Sequence, residues 1–220
     1  MEVFLTYFLL FIIYSFLGWL IESIFCAFID KKFINRGFLI GPYCPIYGVG
    51  AIIMTLYLTQ YKDNPITVFL LASILCSILE YLTSYIMEKI FKTRWWDYSN
   101  HKFNLNGRIC LSNTLGFGFL SLVVIYITNP FFFHLIDIVP NLAMIIISII
   151  IFLIFITDVG ISFNIIYKIK KTADSIKTIR KDNTEEISKK VRKILNTKIF
   201  QRRIINAFPK LKILPRRKSK

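Results

Sequence analysis

Three carboxyl groups stand inside apolar runs of this sequence: Glu22, Glu80 and Asp158. Glu22 lies nine residues before Lys31, Glu80 nine before Lys89, and Asp158 ten before Lys168. If each run is a helix, rising about 1.5 Å per residue, each acid sits roughly 13–15 Å from a basic boundary. Inserting a central Asp into a bilayer costs about 2.5–3.5 kcal/mol on translocon scales, so such residues are expected to face a bundle interior. Two kinds of chemistry follow. In one, the acids form a cation or proton site, or a polar binding cavity. In the other they are protonated and hydrogen-bond between helices, or pair with Arg36 or Arg108 where connecting loops fold back. Asp158 is followed by Ser162 and Asn164, so its span also simply becomes polar near the end.

The remaining polar groups cluster in one connection, which holds Trp95, Trp96, Asp97, Tyr98, His101, Asn104, Asn106, Gly107 and Arg108. The aromatic members read as an anchor at headgroup level. His101 is a lone His with no nucleophile or metal-ligand spacing around it, and is expected to face solvent. Cys26, Cys44, Cys76 and Cys110 form no C-x-x-C pair and read as small packing residues. No G-x-x-x-x-G-K-[ST] phosphate loop occurs. The expectation is a non-enzyme with no cofactor and no metal.

The elements that must position these groups are membrane helices. The chain is 55% apolar and only 19% charged, too little polar surface to cover a water-soluble core of this length. A span needs about 20 apolar residues, and five segments qualify or nearly do: 3–29, 44–61, 66–87, 111–128 and 141–167. The first extends too far for a signal core, has no basic start, and is expected to stay as a helix. The second and fourth are short and carry Gly48, Gly50, Gly116 and Gly118, so they are steep or partly re-entrant. Asn129-Pro130 and Pro140-Asn141 punctuate a connection in which Phe131, Phe132 and Phe133 dip into the interface. The fold class is therefore all-α, a polytopic bundle of about five transmembrane helices over residues 1–167.

Charge orients the bundle. Lys31, Lys32 and Arg36 lie between spans one and two, and Lys89, Lys92, Arg94, Lys102 and Arg108 between three and four. The other two connections hold only Lys62. Lys and Arg accumulate on the cytoplasmic side, which places the N-terminus outside and the C-terminus in the cytoplasm, at the plasma membrane. Residues 168–220 carry 19 Lys and Arg against four Asp and Glu, so the formal net charge of +15 belongs to this tail. Asn183 with Glu186 makes a capping box, and Ile187, Val191, Ile194, Leu195 and Ile199 share one face. A basic amphipathic helix is expected there, lying on anionic lipid. Nucleic acid attracts the same charges, but tethering to a bilayer favours lipid, and no nucleic-acid partner is expected.

The first pair of spans resembles the second. Glu22 precedes a basic loop with Asn35-Arg36-Gly37, Glu80 one with Asn106-Gly107-Arg108, and a Gly-containing span follows each. This is a parallel repeat. Between the halves of the first pair, Gly41-Pro42-Tyr43-Cys44-Pro45-Ile46-Tyr47-Gly48 predicts an ordered helix start at the inner membrane face, with Pro45 in the first turn.

Taken together, Gly18-Trp19 with Glu22, Gly41-Pro42 with Cys44-Pro45 and Tyr47-Gly48, Glu80-Tyr81, Trp95-Trp96-Asp97-Tyr98 and Asn106-Gly107-Arg108 carry a family resemblance. Over about residues 4–170 the chain resembles the bacterial ABC-transporter type IV membrane family, also called the CmpB type. The resemblance implies a permease-like subunit working with a separate ATPase, for which Arg36, Trp95, Trp96, Asp97, Asn106, Gly107 and Arg108 are candidate docking residues. Glu22, Glu80 and Asp158 are the candidate cavity residues. Association with a second copy is compatible with this reading. A membrane scaffold or regulator acting through loops and tail is the alternative, and a lipid-acting intramembrane enzyme a third.

Overall fold

Apolar runs of this length form helices because lipid offers no partner to an exposed N–H or C=O. The computed structural model describes residues 2–31, 35, 37–91, 93–179, 203, 207 and 212–213. The expected tail helix and Arg36 lie outside the described residues. In order come α1 (Glu2–Asp30), α2 (Pro45–Leu58), a 3₁₀ turn (Thr59–Tyr61), α3 (Pro65–Phe91) and the short strands β1 (Thr93–Arg94), β2 (Asn104–Leu105) and β3 (Ile109–Cys110). Then follow α4 (Leu111–Val123), a π-turn (Val124–Thr128), α5 (Asn129–Asp137), α6 (Asn141–Ile179) and β4 (Lys212–Ile213). The protein is an all-α bundle with marginal strands.

Among the described residues, four helical stretches are long and apolar enough to cross a membrane: Glu2–Phe28, Pro65–Phe91, Leu111–Asp137 and Asn141–Lys168. Their outward faces expose Ile74, Ile78, Leu82, Ile150 and Leu153, the pattern of helices solvated by lipid. Inward, Leu10, Tyr14, Met54, Val68, Ala72 and Val124 form the main core. Pro65 opens α3, and the Asn64 Oδ1 accepts the Thr67 N–H at 3.1 Å, a local cap.

Two segments depart from the sequence expectation. Residues 129–137 are helical, not a loop, so that Leu111–Asp137 is continuous. Pro130 lacks the N–H that an α-helix needs. The preceding π-turn absorbs the defect, with the Asn129 N–H reaching back to the Val124 carbonyl. Phe132 and Phe133 pack edge-on against Tyr14 and Tyr7, while Phe131 is exposed. Two of the three rings therefore pack into the bundle instead of lying at its surface.

The other departure is the second span. α2 has 14 residues, about 21 Å of helix, and it does not start at the end of α1. The Cys44 N–H donates to the Ser15 carbonyl at 2.8 Å, midway along α1. Gly48 then lies against Phe11, so α2 runs antiparallel to the first half of α1. The crossing is thus composite: residues 37–44 re-enter as irregular chain, and α2 completes the return.

Candidate functional site

Irregular backbone inside an apolar bundle must have its polar groups satisfied. For residues 37–44 the acceptor is Asp158 of α6. Its Oδ1 takes the Ile40 N–H at 2.9 Å and its Oδ2 the Gly41 N–H at 2.7 Å. The Ser162 hydroxyl donates to Asp158 Oδ1 at 3.0 Å and accepts a second bond from the Ile40 N–H at 3.1 Å. A Cβ on Gly41 would stand 2.7 Å from Asp158 Oδ2, so this approach requires glycine. Arg203, from the basic tail, serves the carbonyl side. It donates to Ile40 at 3.2 Å, to Gly37 at 3.3 Å, and to Leu39. Burial lowers the Arg203 pKa, and the Asp158 carboxyl opposes that shift. Asn35 completes the loop, accepting from Trp19 Nε1 at 2.7 Å and donating to the Ile40 carbonyl at 3.0 Å.

The loop delivers Tyr47 to Glu22. The Tyr47 hydroxyl donates to Glu22 Oε1 at 2.7 Å. Close helix contact permits this: a Cβ on Gly48 would overlap Ser15 and Phe11, and one on Gly18 would overlap Tyr47.

Residues 93–110 re-enter in the same way after α3. Asn106 and Gly107 have φ of 54° and 66°, the left-handed conformations that an Asn-Gly hairpin turn demands. They join β2 to β3, and the Arg108 N–H closes the turn on the Leu105 carbonyl at 3.0 Å. The Arg108 side chain points inward, 2.9 Å from Glu88 Oε2 and 3.1 Å from the Ser84 hydroxyl, over the rings of Tyr81 and Tyr85. The Trp96 Nε1 donates to the Arg108 carbonyl at 3.0 Å. Tyr98 reaches Glu80, donating to Oε1 at 3.1 Å, and accepts from Asn113 Nδ2 at 2.8 Å. On the helices behind, Gly118 lies against Ser73 and Phe69 as Gly48 lies against Ser15 and Phe11. The parallel repeat is therefore structural: helix, re-entrant loop, glycine-contacted helix, twice.

Between the halves lies a cavity of about 550 Å³. Glu22 and Glu80 both line it, with Tyr47, Tyr98, Trp95 and Trp96. The structure thus unites two of the three expected acids. Asp158 is not among the lining residues; its carboxylate is occupied by the re-entrant backbone. Pairing of the acids with Arg108 is also overturned, because Arg108 is engaged by Glu88. Trp95 is 4% exposed and packs against Phe38 and Phe91, so it is not a headgroup anchor. Its loop turns back into the bundle, and the same amphipathic ring that suits an interface fills the cavity wall.

The expected docking residues separate. Arg108 and Gly107 are buried, and Asp97 accepts from the Ser99 N–H at 3.0 Å and lies 3.7 Å from Arg94. Asn106 stays exposed and donates to the Tyr81 hydroxyl at 3.0 Å. The surface of this loop is instead presented by Lys102, Phe103 and Leu105, the last two 80% and 55% exposed. His101 is exposed and lies edge-on to Tyr98. Among the described residues no His, Cys, Asp and Glu group has metal-holding geometry. Cys26, Cys76 and Cys110 are buried thiols.

Sequence reasoning missed Tyr47, Tyr98 and Asn113 as partners of the acids, and Arg203 as a ligand of the loop. The sequence does equate the two acids: Ser15 follows Phe11 by four residues and Glu22 follows Ser15 by seven, and Phe69, Ser73 and Glu80 repeat that spacing at a shift of 58 residues. Gly48 and Gly118 stand 70 residues apart, so the shift does not carry past the loops and marks none of these partners.

Fold and cavity define a multi-pass α-helical membrane protein with an internal acidic site. The family described as "Putative ABC-transporter type IV" matches residues 9–163, and the chain belongs to that family. The match covers both repeat halves and the Asp158 contact, and stops before the basic tail. Its description supports a transporter-associated role. No curated protein and no solved structure matches the chain.

Proposed function

We propose that the chain is the permease-like membrane component of an ABC-type transport assembly, and that the cavity between its repeat halves holds the cargo. One observation carries this: two acids, from two copies of one structural unit, line a single half-open cavity of small-molecule size. The chain has no phosphate loop, so a separate ATPase supplies nucleotide hydrolysis. The role assigned is binding and transport, not catalysis. The basic loops and tail lie in the cytoplasm by the charge rule, with the N-terminus outside the plasma membrane and the tail on anionic lipid. The ATPase docks on the hairpin presenting Lys102, Phe103 and Leu105.

The test begins with purification from native membranes in mild detergent and identification of copurifying chains. With the ATPase recovered, ATP-dependent flux into proteoliposomes should fall at least about tenfold in the Glu22→Gln, Glu80→Gln double variant. Such a loss corresponds to removing one charge-assisted contact. Flux indifferent to both substitutions would remove the cavity from the pathway.

A scaffold or regulator is the second reading, favoured by the hairpin's exposed Phe103 and by the pairing of β1 with β4 from the tail. A stable copurifying partner that is not an ATPase, with no flux, is the outcome it predicts.

A further inference from the structure

We infer that the cavity takes an organic cation, an apolar body with one positive charge, and that the charge is held by Glu22 and Glu80. This rests on the cargo-site reading above and names the class of cargo.

Among the described residues, the ionisable lining consists of two carboxyl groups, the phenols of Tyr14, Tyr47 and Tyr98, and the thiols of Cys44 and Cys76, with no Lys, Arg or His. Two described basic groups of the loop and tail are committed elsewhere. Arg108 is paired with Glu88, and Arg203 is bonded to the first loop. Among the described residues, neither acid has a counter-charge at the cavity.

Glu80 is the sharper pointer. It is 7% exposed, Oε1 accepts from Tyr98, and the buried Oε2 has no hydrogen-bond partner among the described residues. A buried carboxyl oxygen without a donor is costly. A ligand N–H or a close cationic centre supplies what is missing, and an anion or a neutral hydrocarbon does not. Away from the acids the wall is apolar and aromatic, with Leu17, Ile21, Phe38, Trp95, Phe117 and Leu120. Ring faces attract cations. A hard inorganic ion wants about six converging oxygen ligands, and among the described residues no group of His, Cys, Asp and Glu is placed to hold one. The shape and charge call for an apolar monocation.

The probe is tetraphenylphosphonium, with tetraphenylborate as the counterpart of the same shape and opposite charge. Binding to the full chain in phosphatidylcholine nanodiscs is measured by equilibrium dialysis against empty nanodiscs, and by fluorescence of Trp95 and Trp96. The expected result is saturable phosphonium binding, at least about tenfold tighter than borate. Glu22→Gln and Glu80→Gln should each weaken it about tenfold or more, and the exposed Asp63→Asn should leave it unchanged. Equal affinity for the two ions, or full phosphonium binding by the double Gln variant, overturns the inference.

A second measurement needs no substitution. Phosphonium should slow modification of Glu80 by dicyclohexylcarbodiimide about fivefold or more, read by mass spectrometry, and borate should not. Absence of protection overturns the inference even where a Gln variant misfolds. No ATPase enters either assay. Failure here therefore rejects the cargo class and leaves transport standing. Phosphonium binding without flux in the reconstituted assembly rejects transport and leaves the binding class standing.

Discussion

In the first half of the membrane body, the re-entrant loop is held from outside itself. Asp158 of α6 takes its N–H groups, and Arg203 of the tail takes its carbonyls. The second loop is held largely from nearby: a hairpin closes on its own turn, Arg108 locks to Glu88 of the adjoining α3, and only β1 takes a strand of the tail, β4. The acids differ accordingly. Glu22 is bonded by Tyr47 of its own paired helix, whereas Glu80 is bonded by Tyr98 of its loop, itself braced by Asn113. Two copies of one unit have thus become a rigid wall and a dependent wall. Whatever moves α6 or Arg203 acts on the first loop, and through it on the Tyr47 side of the cavity.

The largest expected effect breaks the dependent wall. Asp158→Ala leaves the half-buried Arg203 without the carboxyl that opposes its desolvation and strands the N–H groups of Ile40 and Gly41. We predict a loss of about 3–5 kcal/mol, measured by reversible unfolding in mixed micelles; a change within about 1 kcal/mol would show that the loop does not depend on this acid. Next come the helix contacts. A Cβ on Gly48 would meet the Phe11 backbone carbonyl, while one on Gly118 meets only the side chains of Ser73 and Phe69. Gly48→Ala should therefore cost near the upper end of about 1–3 kcal/mol, and Gly118→Ala near the lower end. Equal costs would mean that the backbone of α1 yields as readily as a side chain.

Smaller still are the phenols. Tyr98→Phe removes the donor to Glu80 and the acceptor of Asn113, and should cost about 1–2 kcal/mol; Tyr47→Phe removes one bond and about 1 kcal/mol. The same unfolding assay orders them, and the reverse order would contradict the asymmetry drawn between the halves. At the bottom is Arg94, which contacts Glu88 at 3.1 Å but is partly exposed. Arg94→Ala should change stability by less than about 1 kcal/mol. A larger loss would assign Arg94 a place in the lock that Arg108 makes.

Hydropathy made α1, α3 and α6 legible, and depth counting placed Glu22 and Glu80 on a common level. Both signals work because lipid leaves a chain few options. Asp158 was legible as a buried acid but not as a loop ligand. Its partners are backbone N–H groups of Ile40 and Gly41, which carry no side-chain signature. Trp95 misled because an amphipathic ring suits a headgroup layer and a buried loop equally well. Pro130 misled because a proline reads as a stop, and only the π-turn before it shows that the helix continues. Arg203 was visible only as one more charge in a basic tail. The residues carrying the family resemblance were readable directly, since they cluster where re-entry and close helix contact restrict the choice of side chain.

The grip on residues 37–44 has a consequence for how the protein is made. Asp158 emerges from the ribosome 118 residues after Ile40, so during most of synthesis the loop has no acceptor waiting in the bilayer. The first half can mature only when the last crossing arrives. Nascent chains released at residue 140 should leave Cys44 open to a water-soluble maleimide, and completed chains should shield it.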